Sequence, residues 1–451
     1  MTRPLRIAVV GSGPSGIYAA DALVSQDEIP VSVDILDALP VPFGLVRYGV
    51  APDHHSIRSV RDTLDKVLDK PGVRFIGNVT VGRDVSMAEL HEYFDAIVLT
   101  YGASRDRRLG IPGEDLDGSV AATDMVAWYT GHPDADRATF ERLIPTTTAA
   151  AVIGVGNVAV DVTRVLAKTV PELDDTDMPQ HVLDTLRQSE ITDVYVFGRR
   201  GPAQATFTTK ELRELGELLD ADVIVDPAEV AFDEASEALI ASDKAVARNV
   251  DVIKEWSTRT PAGRSRRIHL RFLTRPTRLL GEERVEAIEI EATRLDGSGQ
   301  VSGTGELTRI PVDLVVRSVG YRGTELPGVP FDDSANVIPH VEGRVQRDGA
   351  NVPGEYVAGW IKRGPTGIIG TNKKDATATV ASLLADAPGL PRSPRGAPEE
   401  FDAFLANRVS QTVDVAGWRA VDQAERALGA TRGRARTTIH ERDDLLGAAR
   451  S

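Results

Sequence analysis

Two glycine-rich turns are the residues of this chain whose types and spacing could do chemistry. The first follows the apolar run LRIAVV and reads Gly11-x-Gly13-x-x-Gly16, before a helix pattern rich in small residues. The apolar run predicts a buried parallel strand. The glycines allow a tight turn, close approach of a pyrophosphate and close packing of helix on strand. Because a helix start offers free N–H groups to phosphate, the pattern predicts a dinucleotide site.

The residue that ends the next strand limits which dinucleotide fits this first turn. The run VSVDILD predicts that strand, and it ends at Asp37. A carboxylate at this position binds ribose hydroxyls and repels a 2′-phosphate. The first turn therefore favours FAD or NAD.

The second turn has the same design with a different ending. The run AAVIGVGNVAVDVTRVL contains Gly154-x-Gly156-x-x-Ala159, and a later strand, ITDVYVF, is followed by Arg199 and Arg200. Two guanidinium groups at a strand end can bind a 2′-phosphate through charge-assisted hydrogen bonds. The second turn therefore predicts NADPH. Two dinucleotide sites in one chain indicate a flavin relay, in which the cofactors carry the chemistry and no nucleophile or metal site is required.

The elements that position these turns fit an α/β protein with more than one domain. The chain has 451 residues, 41% of them hydrophobic and 26% charged, which is typical of a globular protein of two or three domains. No apolar stretch is long enough for a membrane span. The first predicted strand begins at about residue 5, which leaves no room for a signal peptide, so we expect a cytoplasmic protein.

Composition excludes several classes of function. The chain has no cysteine, which excludes disulfides, thiolate-held iron–sulfur clusters, a cysteine nucleophile and a redox Cys-x-x-Cys pair. A net charge of −15 argues against general nucleic-acid binding. Basic clusters nevertheless occur in glycine-punctuated loops: Arg105, Arg107 and Arg108; Arg199 and Arg200; Lys362 and Arg363; Lys373 and Lys374.

Several long and unusual segments carry a family resemblance. They are VPFGLVRYGVAPDH (41–54), YGASRDRRLGIPGED (101–115), GVGNVAVDV (154–162), VFGRRGPAQATFTTKELREL (196–215), VVRSVGYRG (315–323) and EYVAGWIKRGPTGIIGTNKKDA (355–376). With these segments the chain resembles the adrenodoxin reductase family of NADPH–ferredoxin reductases, particularly its bacterial members.

The resemblance implies a fold of two Rossmann-like three-layer domains, with an NADP domain inserted into an FAD domain. It implies residues 1–107 and 325–390 for FAD and 108–324 for NADP. Residues 391–451 lie outside the resemblance, and helical spacing of Phe401, Phe404, Leu405 and Val409 predicts helices there that pack on the FAD domain, with regulation or partner docking as the alternative.

The resemblance also assigns residues to the two cofactors. It implies that Ser15 and Asp37 bind the FAD phosphates and ribose, with Gly11, Gly13 and Gly16 in the turn, that Leu45 and Val81 line the flavin, and that Trp360, Gly367, Ile368 and Ile369 lie against the isoalloxazine. It places Gly154, Gly156, Asn157, Val158, Ala159, Arg199, Arg200, Glu211 and Arg107 at NADP contacts, and Gly367 beside the nicotinamide.

Three of these assignments compete with structural alternatives. His54, together with Asp161, could adjust the proton balance beside the flavin, or make a structural hydrogen bond; His55 stands where the family pattern has proline. Glu211 could contact NADP, or close a capping box with Thr208. Trp360 could pack on the cofactor or belong to the core.

The function that follows is hydride transfer from NADPH to FAD and single-electron transfer to an iron–sulfur protein. The resemblance implies an acidic ferredoxin as partner, steered by the basic loops, with a cytochrome P450 as a candidate downstream enzyme. Amidotransferase-type reductase subunits and disulfide reductases share such turns but use cysteines, which this chain lacks. A flavin monooxygenase, and a redox sensor that binds both cofactors without turnover, stay open.

Overall fold

The fold is given by a computed structural model, which describes residues 3–296, 299–367 and 369–450. Within these ranges the strands, in chain order, are β1 (Leu5–Val10), β2 (Val31–Asp37), β3 (Val73–Gly77), β4 (Ala96–Leu99), β5 (Arg105–Asp106), β6 (Ser119–Ala121), β7 (Ala149–Ile153), β8 (Asp193–Phe197), β9 (Ala221–Val225), β10 (Arg266–Arg271), β11 (Thr274–Leu280), β12 (Ala287–Leu295), β13 (Val301–Pro311), β14 (Leu314–Arg317), β15 (Tyr321–Arg322), β16 (His340–Val341), β17 (Arg344–Arg347) and β18 (Ala350–Val357).

The α-helices in the same ranges are α1 (Pro14–Val24), α2 (Leu45–Tyr48), α3 (His55–Arg58), α4 (Val60–Asp65), α5 (Met87–Tyr93), α6 (Ala122–Thr130), α7 (Arg137–Leu143), α8 (Asn157–Ala167), α9 (Gln180–Arg187), α10 (Thr209–Leu215), α11 (Glu234–Ser242), α12 (Lys244–Thr258), α13 (Trp360–Arg363), α14 (Ile369–Asp386), α15 (Pro398–Ala406), α16 (Val415–Ala430) and α17 (Arg442–Ala448). Short 3₁₀ turns occupy Ile144–Thr146, Val170–Glu172, Pro202–Gln204, Pro227–Val230 and Ala387–Gly389.

The chain divides into two compact units. Unit 1 consists of Met1–Arg105, Thr130–Asp134 and Tyr321–Ser451, and unit 2 of Asp106–Tyr129 and Ala135–Gly320. The cofactor domains implied by the resemblance, 1–107 with 325–390 and 108–324, stay a prediction.

Unit 1 is built on a seven-stranded sheet in the order β16-β17-β18-β4-β1-β2-β3. The five strands from β18 to β3 run parallel, and β1 lies between β2 and β4. Alternate residues of β1 serve two separate cores: Ile7 and Val9 pack into one, and Ala8 and Val10 into the other. A strand buried on both faces explains the continuous apolar run of the sequence. Because the strand order reverses between β1 and β4, a ligand site is expected beyond their carboxyl ends.

Unit 2 is built on a six-stranded parallel sheet in the order β6-β14-β7-β8-β10-β9. One face carries α-helices, including α8, through a core that contains Ala150 and Val152. The other face packs Ala151 and Ile153 against the antiparallel sheet β11-β12-β13, through Ile288 and neighbouring residues. The predicted α/β fold with two parallel dinucleotide-type sheets is confirmed. The third layer of unit 2 is a β-sheet, which the sequence analysis did not distinguish from helices.

The predicted helices of the C-terminal segment are present and belong to unit 1. Phe401 and Leu405 pack into one core of the unit, and Trp418 into the other. Val409, which was predicted on the same helical face as Phe401, lies beyond the end of α15. The segment also bonds to the sheet edge, where Val413 and Gly77 exchange backbone hydrogen bonds of 2.7 and 3.1 Å. No helix of the described residues has the length and apolar character needed to cross a membrane.

Asp95, which precedes β4, ties both ends of unit 1 together. Its buried carboxylate accepts hydrogen bonds from the Arg3 guanidinium, the backbone N–H groups of Arg6 and Ser393, and the Arg392 guanidinium, at 2.7–2.8 Å. Burial alone would raise the pKa of Asp95, but these donors outweigh burial and lower that pKa to about 2.

Asp95→Asn is expected to lower the free energy of unfolding at pH 7 by about 1–2 kcal/mol, because the charged form of the carboxylate is the one that is bonded and its arginine partners are partly screened by water. The lowered pKa means that this stabilisation is present above about pH 4 and is lost as the pH falls through about 2. Urea unfolding of both proteins at pH 7 and pH 2.5 checks this. Glu92→Gln, at an exposed carboxylate nearby, should change little, and an equal gap between wild type and Asp95→Asn at both pH values would contradict the assignment.

Candidate functional site

The first glycine turn joins β1 to α1 with no space for larger residues at two of its three glycines. A Cβ on Gly16 would lie 1.9 Å from the carbonyl oxygen of Gly11, and one on Gly11, whose φ is +106°, would lie 2.8 Å from the carbonyl oxygen of Thr100. A Cβ on Gly13 would meet nothing within 4 Å. The structure thus separates their roles: two glycines allow close packing, and Gly13 leaves the backbone open to a ligand.

The start of α1 fits a phosphate. Gly13 is its N-cap residue, Pro14 is the first helical residue, and neither a side-chain cap nor an acidic residue occupies the first turn. The N–H groups there are the ones that a helix cannot pair internally. Ser15 is held in place because its hydroxyl donates to Asn372 Oδ1 at 3.0 Å.

Asp37 closes the first glycine turn. Its carboxylate accepts hydrogen bonds from the backbone N–H of Ser12 at 2.7 Å, from the Ser12 hydroxyl, and from the backbone N–H of Leu39 at 2.9 Å. Burial raises the pKa of Asp37, and the bonds from Ser12 and Leu39 act in the opposite direction. Oδ2 accepts both bonds from Ser12, whereas Oδ1 accepts the bond from Leu39 and keeps a second lone pair. The carboxylate therefore supports the turn, and its predicted bond to ribose stays a prediction.

A segment that the sequence analysis did not connect with the turn lies directly on it. The backbone N–H of Phe43 donates to the Ser12 carbonyl at 3.0 Å, and a Cβ on Gly44 would lie 3.1 Å from Gly13 Cα. Phe43 has φ +85°, a conformation that costs a non-glycine residue about 1–3 kcal/mol. Leu45, predicted to line the flavin, is 38% exposed, and Val81 is buried.

The loop after β18 also reaches this end of α1. A Cβ on Gly359, whose φ is +82°, would lie 2.3 Å from Ser15 Oγ. The adjacent Trp360 packs on Tyr321 with ring centroids 5.5 Å apart, and its buried indole N–H has no hydrogen-bond partner among the described residues. An unpaired buried N–H is costly, so this group is a fitting donor for a ligand carbonyl.

The predicted flavin contacts after Trp360 are described only in part. Gly367 is exposed, and a Cβ there would lie 2.8 Å from the Thr371 side chain; Ile369 begins α14 and packs on the unit 1 core. Ile368 lies outside the described residues.

Asp375 of α14 holds the basic pair of this region. It accepts from Lys362 Nζ at 2.8 Å, from Arg363 Nη1 at 2.9 Å and from the backbone N–H of Gly359 at 2.6 Å. These two cations therefore stabilise the loop, whereas Lys373 and Lys374 are exposed.

The second glycine turn, between β7 and α8 of unit 2, repeats the packing of the first. A Cβ on Gly154 would lie 2.2 Å from the Ser318 carbonyl oxygen, while the nearest atom to one on Gly156 is 3.4 Å away. Gly156 is the N-cap residue of α8, and no side chain caps that helix. The first residues of α8 after Asn157 are the predicted contacts Val158 and Ala159, the second of which is fully buried.

A loop that the sequence analysis passed over covers this second turn. The backbone N–H of Thr206 donates to the Val155 carbonyl at 3.0 Å, and that of Thr208 donates to Asn157 Oδ1 at 2.8 Å. The Thr208 N–H is the group that a capping box would pair with Glu211. The capping-box alternative is therefore incomplete: Thr208 caps the Glu211 N–H at 3.4 Å, but its own N–H is bonded to Asn157.

Arg199 and Arg200 follow β8 on a fixed backbone. The Thr293 hydroxyl donates to the Arg199 carbonyl at 2.9 Å, and the backbone N–H of Leu273 donates to the Arg200 carbonyl at 3.1 Å. Arg199 is exposed and Arg200 half-buried, and neither guanidinium has an ion pair or hydrogen bond within the described residues. By contrast, Arg267 in the same sheet pairs with Asp193. Two unpaired guanidinium groups beside a glycine turn suit a phosphate.

Asp161 and Glu211 share a buried cation that sequence reasoning missed. The Arg164 guanidinium is 2% exposed and lies 2.9 Å from Asp161 Oδ1, 3.2 Å from Glu214 and 3.5 Å from Glu211 Oε2. The spacing of three residues between Asp161 and Arg164 on one helix was the available signal. The pairing fixes α8 to α10.

Two further predicted site residues lie elsewhere. His54 is buried and belongs to unit 1, and Arg107 is exposed and belongs to unit 2.

Comparison with known proteins gives the family. No protein-family model matches the chain. The NADPH-ferredoxin reductase FprA of Mycobacterium leprae is 45% identical over 453 residues, which cover 98% of this chain and 97% of that protein. The mitochondrial NADPH:adrenodoxin oxidoreductase of Arabidopsis thaliana is 36% identical over 99% of this chain and 96% of its own length.

A solved structure gives the same result. Mycobacterium tuberculosis FprA in complex with NADPH is 43% identical and superposes with a TM-score of 0.93 over 100% of both chains. These similarities span both glycine turns and confirm the resemblance found in the sequence. They also include residues 391–451, so the expectation that this segment lies outside the resemblance was wrong. The chain therefore belongs to the NADPH–ferredoxin reductase family of oxidoreductases that includes FprA and the adrenodoxin reductases.

Proposed function

We propose that the chain is an FAD-dependent NADPH–ferredoxin reductase, with FAD on unit 1 and NADPH on unit 2. One observation carries this assignment. Each glycine turn follows an inner strand that pairs in parallel with both of its neighbours. Asp37 closes the first turn, whereas Arg199 and Arg200 lie at the end of the strand next to the second and are unpaired within the described residues. A carboxylate disfavours a 2′-phosphate and guanidinium groups favour it.

The residues of unit 1 fit FAD. Gly13 leaves room for a pyrophosphate at the uncapped start of α1, and Oδ1 of Asp37 offers a lone pair to a ribose hydroxyl. The buried indole N–H of Trp360 needs a hydrogen-bond acceptor, and Leu45 presents an exposed apolar side chain. When bound, FAD accepts a hydride from NADPH and releases electrons singly, chemistry that no side chain of this chain supplies.

The residues of unit 2 fit NADPH. Gly156 and the start of α8 receive the pyrophosphate. The loop through Thr206 and Thr208 holds the turn and the first residue of α8 in place through its two hydrogen bonds, to Val155 and Asn157. Arg199 and Arg200 bind the 2′-phosphate. Arg164 keeps two acids of the unit, Asp161 and Glu211, in fixed positions.

Removing both guanidinium groups tests the coenzyme assignment. Arg199→Ala with Arg200→Ala is expected to lower kcat/KM for NADPH by about 100-fold or more, since each charge-assisted bond contributes about 1.5–3 kcal/mol. NADH, which lacks the phosphate, should lose less than about threefold. Steady-state kinetics with both coenzymes measures this.

The matched control is Arg187→Ala, an exposed arginine of unit 2 that pairs with Asp184. It should leave both coenzymes unaffected. Equal losses for NADPH and NADH in the double variant would show that the pair does not read the 2′-phosphate.

The electron acceptor is tested with the purified yellow protein. NADPH-driven cytochrome c reduction should be stimulated at least about tenfold by an acidic ferredoxin. Turnover that ferredoxin leaves unchanged would overturn the partner assignment and leave a general NADPH–flavin reductase. A cytochrome P450 fed by that ferredoxin, and the cytoplasmic location expected from the sequence, are part of the same proposal.

The steering of ferredoxin by basic residues predicts a salt dependence. Raising the ionic strength should depress the ferredoxin-coupled rate steeply, because exposed charges are screened within about 10 Å at 0.1 M salt. Lys373→Glu with Lys374→Glu, at two exposed positions of α14, should lower that rate and flatten its salt profile. Reduction of a neutral quinone by NADPH is the internal control. A flat profile for the wild type would contradict steering.

His54 and Asp161 are proposed to adjust the proton balance at the flavin. Both side chains are buried. His54→Gln is therefore expected to slow electron transfer by several-fold and to change its pH profile, measured by stopped flow between pH 5.5 and 8.5. Unchanged rates at every step would leave His54 a structural role.

A further inference from the structure

The C-terminal segment, residues 391–451, contacts the segment that covers the first glycine turn. We call residues 41–48 the cover segment. It touches the turn at two points already described, the Phe43 N–H bond to the Ser12 carbonyl and the contact of Gly44 with Gly13. The position of the cover segment therefore fixes how the backbone of Ser12 and Gly13 is presented.

The second half of the cover segment is the short helix α2, but its start at Phe43 and Gly44 is not favoured by its own backbone. Phe43 and Gly44 both have positive φ, +85° and +48°, and a phenylalanine avoids that conformation unless its surroundings impose it. What surrounds Phe43 and the next turn of the segment must therefore supply the restraint.

Trp418 of α16 supplies the first restraint. Its ring meets the Phe43 ring edge to face, with centroids 5.5 Å apart and an angle of 83°. The orientation of the Trp418 ring is also restrained by a hydrogen bond, because its indole N–H donates to Asp65 Oδ1 at 2.9 Å. Trp418 is 1% exposed, so the ring of Phe43 rests on a side chain that is itself immobilised.

Glu425, two turns further along α16, supplies the second restraint. Its carboxylate forms a two-point ion pair with Arg47 of the cover segment, with Arg47 Nη1 3.1 Å from Oε2, and both side chains are buried. The same carboxylate also accepts from Arg436 Nη1 at 2.6 Å and from the backbone N–H of Ile439 at 2.9 Å. A buried guanidinium needs such a partner, so Arg47 can occupy this place only while α16 is docked.

We propose that α16 acts as a strap that holds the cover segment on the first glycine turn, with Trp418 and Glu425 as positioning residues for the cofactor of unit 1. This inference rests on the proposed function, which places FAD at that turn. Neither residue needs to touch FAD. They act through Phe43 and Arg47. Substitution of Trp418 or Glu425 should therefore weaken the hold of the Ser12 and Gly13 backbone on the FAD phosphates more than it lowers the stability of unit 1.

The test compares the release of flavin with stability in the purified holoenzyme. Glu425→Gln removes the charge at constant size, and Trp418→Phe weakens the edge contact while keeping an aromatic ring. Flavin release is followed as the rise in free-flavin fluorescence after dilution, and stability as Tm. We expect release to be faster by at least about tenfold for Glu425→Gln and about threefold for Trp418→Phe.

Leu23→Ala is the matched control, because Leu23 is buried in the same core at the far end of α1. It should lower Tm without a comparable increase in flavin release. If all three variants fall on one line of release against Tm, the strap has no specific role and the inference is overturned. Wild-type release in either α16 variant would overturn it too. Wild-type protein that carries no flavin would instead overturn the proposed function.

Discussion

At the first glycine turn, β1 and α1 are so close that one methyl group would push them apart. A side chain at Gly16 would overlap the Gly11 carbonyl, and one at Gly11 would overlap the chain after β4. Because of this contact, α1 starts directly beyond the sheet and its free N–H groups point where a phosphate can approach. The Gly44 and Gly359 loops, which come from distant parts of the sequence, then pack on the same few atoms. The close contacts of these glycines therefore fix how four segments of unit 1 pack around the start of α1.

In the proposed function, one backbone design serves two ligand chemistries. In each, the outer glycine packs on a neighbouring carbonyl and the middle glycine stays open. The difference lies at the end of the next strand of the sheet. Asp37 is bonded into its own turn, so its charge is part of the local structure. Arg199 and Arg200 have carbonyls fixed by neighbours and guanidinium groups left for a ligand. In the proposed function, the guanidinium groups that select the coenzyme in unit 2 can thus be changed without disturbing the backbone that carries them.

Much of this could be predicted from the sequence, because strand, turn and helix signals are local. The apolar runs, the glycine spacing and the residues at the strand ends lie within short windows, and they gave the two parallel sheets. What the sequence could not give depends on contacts between distant segments. Arg164 lies in an ordinary helical pattern, and only the fold brings Glu211 and Glu214 to it. Thr208 looked like half of a capping box until the fold supplied Asn157 as a competing partner. The contact of Phe43 with Trp418 joins residues from opposite ends of the chain, beyond any periodicity.

The central sheet of unit 1 has a consequence for biosynthesis. Strand β18 pairs in parallel with β4, yet the whole of unit 2 is translated between them. At ordinary ribosomal speeds, β4 leaves the exit tunnel on the order of tens of seconds before its neighbour exists. During that interval one edge of a strongly apolar strand has no partner, which is the state most exposed to aggregation and to chaperones. Unit 2 can complete its own sheet first, so the sheet that carries the second glycine turn is expected to form before the sheet that carries the first is complete.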